Sequence, residues 1–220
     1  MDFTVGSAIR FGWETFKTRP WFFVGSTVVI FFAYGVVGAI TGGIDKAVGA
    51  TPEDPSAIGG IINFVLSTFI GMGVTAFYLA AHDNPETVDL STLWHPRPFW
   101  KYLGAGILVG LAIGIGFILL VIPGIIATIF FLFTTFIVID KELGPIEAMK
   151  ESMRIGRGYR WPLLGLIVLL SLIMLLGVIA LFVGILVAMP VVSLAFVHAY
   201  RTLSGSTGPS SLAADARLAA

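Results

Sequence analysis

Four stretches of this chain contain no Asp, Glu, Lys or Arg: residues 20–44, 55–82, 102–139 and 161–200. Backbone amides and carbonyls cannot stay unpaired in hydrocarbon, so long uncharged segments of this kind cross a bilayer as helices. About 20 apolar residues cover a hydrocarbon layer of about 30 Å, which makes the first two stretches one span each. The last two contain 38 and 40 residues. As single helices they would be rods of about 60 Å, twice the layer's thickness, so each is expected to fold back on itself. Pro123-Gly124 and Gly184 lie near their midpoints and are the predicted points of reversal. The fold class that follows is an all-α integral membrane protein with six transmembrane helices arranged as three hairpins. The spans are placed near residues 21–42, 58–82, 102–122, 124–140, 162–182 and 184–201 of a single domain over 1–203, and residues 204–220 form a disordered cytoplasmic tail.

Composition agrees with this count. Of the 220 residues 57% are hydrophobic and 12% charged, with a mean hydropathy of +0.96; a water-soluble domain carries about 25% charged residues to cover its surface. Thirteen basic and thirteen acidic residues cancel, which removes a global electrostatic argument for nucleic acid. The chain has no cysteine, and so no disulfide, thiolate nucleophile or iron–sulfur ligand. A cleaved signal peptide is not expected, because the first apolar run begins only near Trp21, passes Ile40 and lacks a small-residue cleavage site.

The basic residues orient the chain. Twelve of the thirteen flank the spans on one side, and only Lys46, beside Asp45, Glu53 and Asp54, falls on the other. Positively charged loops translocate poorly, so both termini are predicted on the cytoplasmic face. Trp13, Trp21, Trp94, Trp100 and Trp161 fall at or beside that face, where an amphipathic ring suits the headgroup layer.

The connecting segments carry their own pattern. Val5, Ile9, Gly12, Trp13 and Phe16 form one helical stripe opposite Ser7, Arg10, Glu14 and Lys17; Ile146, Met149, Met153 and Gly156 repeat the design opposite Glu147, Lys150, Glu151 and Arg154. Each segment either lies in the headgroup layer or packs its apolar stripe on the protein's own helices. A tryptophan followed four residues later by glycine opens three of the spans, at Trp21/Gly25, Trp100/Gly104 and Trp161/Gly165, and Ala8 and Ala148 each lie thirteen residues before the first and last tryptophan. The pattern reads as three copies of one unit, an interfacial helix followed by a hairpin. The middle copy is degenerate, since Pro96 and Pro98 permit only a short or broken helix before Trp100.

Ile122-Pro123-Gly124, Val138-Ile139-Asp140, the run from Leu143-Gly144-Pro145 to Glu151-Ser152, Gly158, Pro190 and Tyr200-Arg201-Thr202-Leu203 resemble a large group of bacterial multipass proteins. That group includes the membrane domain fused to glycerophosphodiester phosphodiesterases and related inner-membrane proteins of unknown function. The resemblance covers most of residues 87–203 and implies a six-helix cytoplasmic-membrane protein. Seventeen residues follow Leu203, so the phosphodiesterase activity of the fused proteins is not expected here.

Candidate chemistry is sparse. His82, His95 and His198 come from three elements without short ligand spacing and read as interfacial histidines rather than zinc ligands; no cofactor is implied. No ionisable residue falls at mid-membrane, as ion-coupled transport would require, and Asn63 is the one amide within a span. Gly106, Gly110 and Gly114 form a small-residue stripe expected to pack against another helix, of the same chain or of a second copy. Lys150, Arg154, Arg157 and Arg160 either attract anionic headgroups or only set topology. The functional expectation is a non-enzymatic organising or accessory protein of envelope or lipid homeostasis, with membrane lipids and a protein partner or second copy as its partners and no nucleic acid. A passive permease for a small or amphiphilic solute is the alternative, and a lipid-acting membrane enzyme the third.

Overall fold

A computed structural model describes residues 3–51, 56–94, 98–180 and 183–205. The helices, in order, are α1 (Val5–Thr18), α2 (Pro20–Ala47), α3 (Ala57–Asp83), α4 (Phe99–Leu119), α5 (Val121–Phe131), α6 (Thr134–Lys141), α7 (Pro145–Ile155), α8 (Arg160–Ile179) and α9 (Val183–Ser204), with a short 3-10 turn at Leu90–Trp94 between α3 and α4. Six segments are long and apolar enough to cross a membrane: α2, α3, α4, α5 together with α6, α8 and α9. His95, Arg97, Glu53, Asp54 and the tail over 206–220 lie outside the described residues.

Burial divides the molecule. The largest fully buried side chains include Phe77 and Tyr78 of α3, Phe133 and Ile137 beside and within α6, and Leu194 and Tyr200 of α9. By contrast α2 from Val28 onward, α3 from Ile58 to Phe69, and most of α4 and α8 carry exposed large apolar side chains. So much bare apolar surface is unfavourable in water and is satisfied by lipid. At the opposite ends of these helices the charges gather: Arg19 donates to the Glu86 and Val88 carbonyls, Lys101 to the Glu142 carbonyl, and Arg201 to Asp83 and Asp140.

The predicted reversals fall slightly elsewhere. The break between α4 and α5 is at Leu120, in extended backbone (φ −171°, ψ 159°) that any residue adopts, and Pro123 sits in the first turn of α5, where its missing N–H costs nothing. Gly124 is a contact residue rather than a turn residue: a Cβ on Gly116 would lie 2.9 Å from the Gly124 Cα, and one on Gly124 would enter the Phe117 ring. Gly184 likewise lies in the first turn of α9, where an added Cβ would stand 2.5 Å from the Gly177 carbonyl oxygen. In both pairs the glycines let two backbones touch next to the break. Pro190 is accommodated inside a continuous α9.

The short helices α1 and α7 bury part of the expected stripe, Gly12, Phe16 and Gly156, together with residues beside it. α1 buries Ala8, Gly12, Thr15 and Phe16, leaving Trp13 46% exposed; α7 buries Ala148, Ser152 and Ile155, leaving Ile146 61% exposed. Small residues win these positions because they bring the helix axis closest to its neighbour, and the bulky side chains then flank the contact. The two helices use matching positions. Val5 lies 3.8 Å from where a Gly165 Cβ would be, and Pro145 3.1 Å from the same point on Gly104; Gly12 meets the Val191 carbonyl, and Ser152 the Phe130 carbonyl. Thus α1 packs on α8 and α9, α7 packs on α4, α5 and α6, and the 3-10 turn packs on α3 with Leu93 against Gly73.

The break between α5 and α6 has a local cause. Ser152 Oγ donates to the Phe130 carbonyl (2.8 Å) and accepts from the Phe133 amide (3.2 Å), so a buried hydroxyl from α7 is inserted into the hydrogen-bond ladder and both freed backbone groups keep a partner. α6 ends at Glu142, which has a left-handed backbone (φ 51°). The far end of α2 is joined to α3 by Asp45, which accepts from the Ser56 amide and hydroxyl, while Ser56 caps the Gly59 amide of α3.

Candidate functional site

Three helices end at one place on a charged residue: α3 on His82-Asp83, α6 on Asp140-Lys141 and α9 near Tyr200-Arg201. A carboxylate at a helix C-terminus faces the negative end of the helix dipole and needs a cation close by. Arg201 supplies it twice. Its Nη2 lies 2.7 Å from Asp83 Oδ2 and its Nη1 2.8 Å from Asp140 Oδ1, with the Arg201 and Asp83 side chains each 9% exposed. Tyr200 donates its hydroxyl to the other Asp140 oxygen at 2.6 Å. Planar guanidinium geometry suits this double bridge, because its donors point in fixed directions toward two carboxylates.

The network continues through the histidines. His82 Nδ1 lies 3.2 Å from Asp83 Oδ1 and His82 Nε2 lies 3.3 Å from His198 Nδ1. The Phe11 ring of α1 stacks on His198 with centroids 4.3 Å apart and packs on His82 at 4.6 Å. α1 is thereby fastened over the polar cluster. Chemically the cluster clamps four helices: two carboxylates are held by one guanidinium and a phenol, and the imidazole pair can pass a proton along one hydrogen bond. Among the described residues no group of three or more His, Cys, Asp or Glu side chains is arranged to hold a metal ion.

The basic segment has a different character. Glu151 binds Lys141 at 3.0 Å and Arg154 through two contacts of 2.6 and 2.7 Å. The hydrogen bond from Arg154 above all, helped by Lys141, holds the Glu151 carboxyl down at about 2 against the opposing effect of burial. Glu147 caps the Gly144 amide at the start of α7. Lys150, Arg157 and Arg160 are exposed and have no carboxylate partner among the described residues. Arg160 rests its guanidinium 4.5 Å from the Phe130 ring centroid.

The remaining candidates are placed as follows. Asn63 donates to the Thr41 hydroxyl and accepts from Ser67, each at 3.3 Å, so its amide joins α2 to α3. Thr68, Thr75 and Thr128 donate back to carbonyls of their own helices. Gly106, Gly110 and Gly114 do not pack against another helix among the described residues: a Cβ at any of them would meet none of these within 4 Å. The tight glycine contacts are instead at Gly12, Gly59, Gly73, Gly116, Gly124, Gly177 and Gly184.

The Asp83–Arg201–Asp140 bridge escaped the sequence reading because its members are 118 and 61 residues apart. One signal was present: three apolar helices ending in His-Asp, Asp-Lys and Tyr-Arg put two carboxylates and one arginine where charges must pair.

Relatives were found over nearly the whole chain. It is 28% identical over 227 aligned positions to the uncharacterized protein Rv2560 of Mycobacterium tuberculosis, covering 92% of this chain and 69% of that one. The uncharacterized protein Mb2590 of Mycobacterium bovis gives the same identity and coverage. No solved structure matches. A family model matches residues 58–216. With that match spanning most of the six-span domain and the polar clamp within it, the chain belongs to the family described as a domain of unknown function, DUF7847.

Proposed function

We propose that this protein is a non-enzymatic component of a bacterial inner membrane, built as three hairpins with both termini cytoplasmic, that organises or assists envelope or lipid homeostasis by holding anionic headgroups at its charged end. The observation that carries this reading is the division of labour among its cations. Arg201 is committed to Asp83 and Asp140, and Lys141 and Arg154 to Glu151, whereas Lys150, Arg157 and Arg160 stand exposed, the last two flanking Tyr159 in the chain. Each such cation near a membrane surface contributes about 1 kcal/mol toward anionic lipid. Exposed Ile146 and Met153 on α7 supply apolar anchors in the same segment.

The test is the lipid retained through detergent purification, quantified by mass spectrometry against the source membrane. Anionic phospholipid is expected to be enriched severalfold, and the enrichment to vanish in Lys150→Gln/Arg157→Gln/Arg160→Gln. Retained lipid in the same proportions as the membrane would overturn the reading.

A further inference from the structure

We infer that the crevice between α5 and α8 is a binding site for one acyl chain of an anionic phospholipid, whose phosphate is held by Arg160. The inference rests on the headgroup reading above and adds to it a place and a mode of binding. The crevice has a volume of about 440 Å³, within the range of roughly 300–1,000 Å³ typical of small-molecule sites. Its walls are Ile122, Ile125, Ile126 and Ile129, which recur at helical spacing on one face of α5, with Phe130 and Leu164. Arg160 and Trp161 close the end of the wall formed by α8.

Charge complementarity decides the occupant. Among the described residues no carboxylate lines the crevice, and Arg160 is the one charged residue in its wall. The Phe130 ring beneath the guanidinium orients it without neutralising it. Arg157, also without a carboxylate partner among the described residues, lies three residues before Arg160 in the chain. Apolar walls with one unneutralised guanidinium at the rim match a hydrocarbon tail joined to a phosphodiester. A zwitterionic lipid presents the same tail but brings its own cation to the arginine. Trp161, 82% exposed beside Arg160, suits the level of a glycerol backbone.

The experiment uses the full chain in phosphatidylcholine vesicles containing either a phosphatidylglycerol or a phosphatidylcholine probe with a photoactivatable group in one acyl chain. Cross-links are mapped by mass spectrometry. The anionic probe is expected to label residues 122–130 and 161–164 at least threefold more than the neutral one. Arg160→Gln should bring the ratio near one, Arg160→Lys should retain most of it, and Ile126→Trp, at an exposed position, should fill the crevice and remove labelling by both probes. Lys46→Gln, exposed in the last turn of α2, is the control that leaves crevice labelling intact. Equal labelling by the two probes in the wild-type chain, or a ratio unchanged in Arg160→Gln, overturns the inference. If either result comes with anionic enrichment still present in the purified protein, the crevice alone is wrong; if that enrichment is absent too, the headgroup reading falls with it.

Discussion

Arg201 reaches Asp83 at 2.7 Å across 118 residues of chain, and the same guanidinium holds Asp140 at 2.8 Å. Removing the cation leaves two carboxylates facing one another in a site almost closed to water. Arg201→Met is therefore expected to destabilise the protein by about 3–5 kcal/mol, the range for breaking one side of a buried ion pair. Adding Asp83→Asn and Asp140→Asn should recover much of the loss, because no charge is then stranded. Unfolding of the three variants in detergent micelles, followed by circular dichroism, measures both steps; equal losses in the single and triple variants would contradict the clamp.

Ser152 carries the α5–α6 break. Ser152→Ala fits the space but leaves the half-buried Phe130 carbonyl and the buried Phe133 amide without their partner. The expected loss is about 1–3 kcal/mol, the cost of an unsatisfied buried polar group. Hydrogen exchange should show the Phe133 amide losing protection before its neighbours in α6.

Glycine positions should divide sharply. Gly73→Ala drives a methyl into the Leu93 backbone and Gly124→Ala drives one into the Phe117 ring, each with an expected loss of about 1–3 kcal/mol from overpacking. Gly110→Ala meets open space and should change stability by less than about 0.5 kcal/mol. The midpoint of unfolding by added denaturing detergent ranks the three.

The Glu151 ion pairs set a pH signature. Its carboxyl is held down at about 2 from an ordinary 4.5, first by the Arg154 hydrogen bond. A depressed folded-state value means that this contribution is complete above about pH 4.5 and is lost as pH falls through about 2. The difference in melting temperature between wild type and Glu151→Gln should accordingly stay constant from pH 5 to 8 and shrink steadily below 4.5. A difference that instead changes between pH 5 and 8 would point to another group.

Asn63→Leu separates the permease alternative from the accessory reading. Its amide links Thr41 to Ser67 across α2 and α3, so the expected outcome is a stability loss of about 0.5–1.5 kcal/mol. Abolition of a solute flux in proteoliposomes at unchanged stability would favour the permease.

Much of the architecture was legible because it depends on local composition. Charge-free length defines a span through the thickness of hydrocarbon, and Pro145 with Glu147 announces the start of α7 as caps do in any helix. Faces and turns were less legible. The reversal at Leu120 rather than Pro123 needs no special residue, and the buried stripe Ala8–Gly12–Thr15 is weakly hydrophobic by composition. It is selected by how closely α9 approaches, a property of two elements far apart in the chain. The glycine stripe of α4 had the spacing of a packing seam, yet no helix among the described residues lies over it.

Six apolar helices, their approximate ends and the bias of basic residues toward one side follow from the order of residues alone, since lipid solvation and electrostatic cost act on each segment separately. Which carboxylate meets Arg201, which hydroxyl mends the break at Phe133, and which exposed arginine stands over an apolar crevice were decided only by tertiary packing. Those contacts join residues 61, 19 and 30 positions apart, and such pairings depend on where whole helices come to rest.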